Sequence, residues 1–277
     1  MFSLPIRRCA RTPPRRDVSM TVWGALLIVS GGFAAGAVNA VAGGGTFFSF
    51  PALLAVGVPP VVANASNSVA LWPGSLASAW AYRTELARFK LYLLPMGLAS
   101  LAGGVAGGLL LLTAGDARFS ALIPWLLAFA TLLFAFSPQI SAVVQARRAR
   151  RAAPGTSPSQ APQGAWWVQL LVSVYGGFFG AGMGILIMAS LAIAGHKDVQ
   201  EINALKNLLS SIVYSVTVVT FVIAGAVSWP HTLVMLAAAS LGGYWGARVA
   251  RSLQGPWLRR MVIGVGTALT LYYFYQQ

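Results

Sequence analysis

Apolar residues run through this chain in long blocks separated by short polar breaks. Blocks at 22–42, 61–82, 90–112, 120–137, 166–182, 202–225, 231–250 and 258–275 fall within the span of about 17 to 25 residues that a helix needs to cross a bilayer. Two blocks, 46–57 and 184–195, are too short to cross. Each follows a glycine cluster, and the first contains Pro51. Short, Gly/Pro-interrupted apolar segments at corresponding places predict re-entrant or broken helices. The pattern therefore predicts an all-α polytopic inner-membrane protein of about eight to ten helical segments.

Two segments stand outside the apolar pattern. Residues 1–20 form a polar, Arg-rich tail, and 139–165 form a basic, Pro-rich stretch that reads as a disordered linker. The small residues Ala37-Val38-Asn39-Ala40 would suit signal-peptide cleavage. The first apolar block is too long for a typical signal core, however, and it has a counterpart later in the chain. It reads as a spanning helix, with Met20 just before it as a second possible start.

The counterpart belongs to an internal repeat. At an offset of 139, Gly43 and Gly45 fall on Gly182 and Gly184, Asn64-Ala65 on Asn203-Ala204, and Met96 on Met235. Gly103, Gly104 and Gly107 fall on Gly242, Gly243 and Gly246. This predicts membrane repeats at 21–138 and 166–277. Charge counts leave two topologies open: nine crossings with the tail inside, or an inverted repeat of five crossings each with the tail outside.

Composition narrows the class. Apolar residues make up 57% and charged residues 9%, where a soluble domain carries roughly 25% charge. A soluble enzyme, a disordered chain and a disulfide scaffold are excluded on that ground. The formal charge of +14 suggests nucleic acid at first sight. Its arginines cluster at the ends of apolar blocks, though, as at Arg147-Arg148 and Arg259-Arg260. That placement is a topology signal, and no basic face with interleaved aromatics points to nucleic acid. Cys9 is the only cysteine, and His196 and His231 lie apart from other ligand types. No metal site or cofactor is expected.

Polar groups inside apolar blocks are the candidate chemistry, because each is costly in hydrocarbon unless paired or lining a cavity. Asn203, Lys206, Asn207, Ser210, Tyr214 and Thr217 share one helical face. The first-half counterpart carries Asn64, Asn67, Ser68, Ser75 and Ser78. Lys206 is the one basic residue within a block and away from an arginine-rich end. It either snorkels to the interface or meets an anion. Gly43-Gly44-Gly45 and Gly180, Gly182 and Gly184 would let backbone N–H groups and half-helix N-termini approach a ligand. Gly44, Gly45, Asn64, Asn67, Gly182, Gly184, Asn203, Lys206 and Asn207 are thus the candidate binding residues. The serines and asparagines could instead bond only helix to helix. Paired carboxylates, a Ser/His/Asp set and a P-loop are all missing, so no enzyme is expected.

The stretches Gly31-Gly32-Phe33-Ala34-Ala35-Gly36, Ala42-Gly43-Gly44-Gly45, Pro51-Ala52-Leu53-Leu54 and Ala63-Asn64-Ala65-Ser66-Asn67 resemble the first-repeat signature of the TauE/SafE family. Tyr175-Gly176-Gly177-Phe178-Phe179-Gly180-Ala181-Gly182-Met183-Gly184 is similar to its second-repeat signature. The resemblance covers about residues 21–275. It departs at Asn203-Ala204-Leu205-Lys206, where members often carry a small or hydroxyl residue near the lysine. It implies a multi-pass permease that exports sulfite, sulfoacetate or a related anion, and it is silent on which. The expectation is a secondary transporter of a small anion, seated in a lipid bilayer, with the oligomeric state open. The alternative is a non-transporting membrane scaffold or assembly factor.

Overall fold

A computed structural model describes residues 21–86, 90–151, 165–194, 198–249 and 255–276, which are helices and short connections without a strand among them. The first helix, α1 (Val22–Ala42), opens where the Thr21 hydroxyl accepts the Gly24 N–H at 3.1 Å, satisfying one orphan donor of the first turn. Its 21 residues rise about 31 Å, the thickness of a hydrocarbon core. α2 (Thr46–Ala55) has 10 residues and rises only about 15 Å, half that thickness. It is followed by α3 (Pro60–Ala81) and the single turn α4 (Arg83–Leu86).

α5 (Lys90–Arg151) carries the blocks expected at 90–112 and 120–137 as two arms, 90–114 and 116–151. They meet at Gly115, whose φ of 71° and ψ of 168° break the helix. The second arm continues to Arg151, so 139–151 of the expected disordered linker are helical. The cause is local: Ala, Gln and Arg beyond Pro138 are good helix formers. Residues 152–164, like the tail 1–20, lie outside the described residues. α6 (Ala165–Phe178), α7 (Met183–Ala194), α8 (Val199–Ile223), α9 (Trp229–Val249) and α10 (Gly255–Tyr275) complete the chain.

Side-chain contacts fix the helix directions. Ala35, Leu71 and Ala239 cluster together, and Ser66 accepts the Ser228 N–H just before α9. Gly32 of α1 meets Met235 and Ala37 meets Gly246, so α1, α3 and α9 run the same way. Trp72 Nε1 donates to Ser215 Oγ at 2.8 Å, and Ser78 lines the same cavity as Lys206, so α8 runs antiparallel to α3. Arg259 donates to the Phe134 carbonyl at 2.9 Å and Trp125 packs on Phe274, setting α10 antiparallel to the second arm of α5.

These directions sort the charges. One face gathers Arg83, Lys90, Arg147, Arg148, Arg150, Arg151, Arg248, Arg259 and Arg260. The opposite face holds Asp116 and Arg118 among the described residues. By the positive-inside rule the basic face is cytoplasmic. Tryptophans and tyrosines mark both rims: Trp80, Trp166, Trp167 and Trp245 on the basic side, Trp23, Trp229, Tyr272 and Tyr275 on the other, all exposed. Between them exposed Leu98, Leu101, Leu109, Leu132, Leu171 and Leu241 face outward while Asn64, Ser66, Asn67 and Gln169 are buried. Apolar outside and polar inside is the arrangement a bilayer imposes.

The helix starts at Pro60 and Val199 stand 139 apart, the offset read from the sequence. The packing recurs as well. α1 lies on α9 through Gly32, Gly36, Gly242 and Gly246, and the first arm of α5 lies on α6 through Gly103 and Gly107. A Cβ on Gly32 would sit 2.9 Å from the Met235 carbonyl oxygen, and one on Gly103 2.6 Å from that of Leu170. The small residues let the backbones touch.

Candidate anion site

Two breaks face each other in the middle of the bundle. α1 ends at Gly43, with φ of 73°, and α6 ends in a turn with Gly180 and Gly182 at φ of 82° and 76°. Glycine takes these left-handed angles without the Cβ penalty. The second break is held by Tyr175, whose carbonyl accepts from Phe179 and Gly180 and whose hydroxyl donates to the Ala181 carbonyl at 2.6 Å. The first turn of α7 then bonds Met183 N–H to Gly180 and Ile185 N–H to Gly182. The Gly184 N–H is left without a backbone acceptor among the described residues, as expected at a helix start.

Below the breaks lies a bonded polar layer. Asn67 is buried, donates to Thr46 Oγ1 at 3.4 Å and accepts from the Ser49 hydroxyl on α2. Asn64 donates to the Phe178 carbonyl at 3.0 Å, while its Oδ1 has no hydrogen-bond partner among the described residues.

A cavity of about 50 Å³ opens above this layer, where both breaks meet α3 and α8. Lys206, Asn207, Ser210 and Tyr214 line it from α8, Ser75 and Ser78 from α3, and Asn39 and Gly43 from the end of α1. Gly180, Met183 and Gly184 close it from the second break. One water needs only about 10–15 Å³ of such space, so the cavity has room for a few waters and suits a small ion rather than an extended solute. A Cβ on Gly184 would lie 3.6 Å from Lys206 Cδ, so the lysine stem runs past the start of α7. Among the described side chains no carboxylate pairs with Lys206. The cavity lies in the half of the bundle nearer the basic face, beside the last third of α3 and the second turn of α8.

Of the candidates read from sequence, Gly184, Lys206 and Asn207 line this cavity. The others stand outside its lining. Asn67 and Asn64 belong to the bonded layer. Gly44 packs on the Phe134 ring, and Gly45 packs on α1 at Ala35 and Asn39. Gly182 faces Ala130 and Leu133, and Asn203 is half-buried one turn before Lys206. Ser75, Ser78, Ser210 and Tyr214 were already on the polar stripes, and the structure gathers them here. Asn39 is new as a site residue: an amide inside an apolar block is its only sequence signal.

A helical membrane protein with a polar cavity between two broken helices has the architecture of a secondary transporter. The chain matches the family model for Sulfite exporter TauE/SafE over residues 28–273, and it belongs to that family. It is 26% identical over 253 residues to a "Probable membrane transporter protein" of Haemophilus influenzae, covering 89% of this chain and 92% of that one. It is 28% identical over 239 residues to "Probable membrane transporter protein ORF9" of Sinorhizobium sp, at 86% and 88% coverage. "Probable membrane transporter protein YfcA" of Escherichia coli (strain K12) is 26% identical over 255 residues, at 91% and 90%. No solved structure matches. The chain is thus a multi-pass membrane transporter of the bacterial inner-membrane kind.

Proposed function

We propose that this transporter exports a small sulfur oxyanion, sulfite or a compact sulfonate, from the cytoplasm through the cavity at Lys206, between two repeats of one fold. The observation that carries this reading is a lysine lining a small cavity whose other polar lining is neutral. A cation held away from bulk water favours a counter-charge there. Asn39, Asn207, Ser75, Ser78 and Ser210 supply neutral partners around the oxyanion, and the Gly184 N–H adds a backbone donor at the positive end of α7.

The place of the cavity supports the direction. It lies toward the basic, cytoplasmic face, where an exported solute must load. An inside-negative potential of 100 mV then releases about 2.3 kcal/mol per negative charge moved out. Export needs no acidic coupling residue on that account.

The test is sulfite flux in proteoliposomes, with sulfate, taurine and sulfoacetate as competitors. Lys206→Gln is expected to raise the half-saturating sulfite concentration roughly tenfold or more, at about 1.4 kcal/mol per decade. Lys206→Arg keeps the charge with a larger planar head and recovers part of the activity. Unchanged affinity in Lys206→Gln removes the anion assignment and leaves Lys206 as a lysine that snorkels.

A further inference from the structure

The lysine has a consequence for how the carrier turns over. Five acidic residues occur in the whole chain. Asp116 accepts the Val61 N–H at the opposite face, and Asp198 caps α8 by accepting the Gln200 N–H. Among the described side chains none pairs with Lys206. In the cavity the Ser75 hydroxyl donates to the Trp72 carbonyl at 2.7 Å and the Ser78 hydroxyl to the Gly74 carbonyl at 2.9 Å. Their oxygens can solvate the ammonium, but they bring no negative charge.

An alternating-access carrier passes through a state closed to both sides. When an anion is bound, Lys206 enters that state as one half of a neutral pair. When no anion is bound, the ammonium enters it with a few waters and no counter-charge from the described lining, which is the costly case for a buried charge. The lining makes this difference sharp, because the space holds only a few waters and its other polar groups are neutral.

We infer that the protein works mainly as an anion exchanger: an anion must occupy the Lys206 cavity for fast turnover, and return of the empty form limits net export. This rests on the anion reading proposed above. It adds that the lysine sets the transport mode as well as the affinity. Net export still occurs, and the membrane potential helps it, because the returning empty carrier moves its positive charge inward.

The experiment uses the full chain in proteoliposomes held at zero potential by equal potassium and valinomycin. Vesicles are loaded with radiolabelled sulfite, and a parallel set with radiolabelled sulfoacetate. Efflux is followed into anion-free buffer and into buffer holding the same anion unlabelled. External anion is expected to speed efflux roughly tenfold or more; a factor of ten is about 1.4 kcal/mol of extra barrier for the empty return. Lys206→Arg keeps that ratio, and Lys206→Gln brings it to about one, the mark of a charge effect. Equal wild-type efflux into both buffers overturns the exchange inference and leaves the anion reading standing. No efflux of either anion from vesicles with folded protein overturns both. If Lys206→Gln does not fold, the wild-type ratio alone decides.

Discussion

Asn67 and Lys206 occupy corresponding positions of α3 and α8, 139 apart, yet they do different work. Asn67 spends both ends of its amide on α2, at Thr46 and Ser49. Lys206 lines the cavity and has no such partner among the described side chains. Replacing Asn67 with Ala should therefore act on stability: loss of about 1–2 kcal/mol, seen as a lower melting temperature in detergent. Its half-saturating sulfite concentration should stay within about threefold of wild type, since one bonded layer separates it from the site and factors below tenfold fall under 1.4 kcal/mol. A tenfold affinity loss with unchanged melting would return Asn67 to the binding site. The amide and the lysine both stand out in the sequence as polar groups in apolar blocks. Which of them is already satisfied depends on α2, and no local pattern reveals that.

At the scale of elements, the glycine breaks separate into packing and access. A Cβ at Gly45 would lie 2.6 Å from the Ala35 carbonyl oxygen, against backbone that has no rotamer to yield. At Gly184 it would meet only Lys206 Cδ, at an ordinary 3.6 Å. Gly45→Ala should thus reduce the folded fraction, by strain of order 1–3 kcal/mol. Gly184→Ala should fold normally and weaken transport by placing a methyl group in the cavity beside the lysine. Size-exclusion profiles in detergent beside sulfite flux separate these outcomes; a well-folded, fully active Gly45→Ala would contradict the packing at α1. The sequence located both breaks, because glycine clusters before short apolar blocks are a local signal. It treated them alike, because the neighbour each glycine touches comes from another helix.

For the molecule as a whole, the helix directions predict a fixed orientation. With Cys9 replaced, Ala55→Cys and Ala224→Cys, both exposed at the face holding Asp116, should react with an impermeant maleimide from outside intact cells. Ala81→Cys, exposed beside Arg83 on the basic face, should react only after permeabilisation. The reverse pattern would put the cavity at the periplasmic side and remove the loading argument for export. Deleting 152–163 should leave insertion and sulfite flux intact, since the segment is polar and Pro-rich and lies outside both expected repeats. Loss of folded protein on that deletion would give the segment a structural role.

The sequence by itself determined the solvent of this protein and its punctuation. Block length and charge placement fix where a chain can enter a bilayer, and glycine clusters fix where helices can break, because these depend on neighbours a few residues away. It also exposed Lys206 as an isolated cation, a matter of composition. The tertiary structure decided the rest. Charge counts left two topologies open, and only the antiparallel crossing of Trp72 on Ser215, with α1 lying along α9, chose directions. The cavity joins Asn39, Ser75 and Lys206, residues from three helices that meet only in the folded bundle. A residue's partner across such a crossing is set by packing between segments more than a hundred positions apart, and periodicity within one helix cannot specify it.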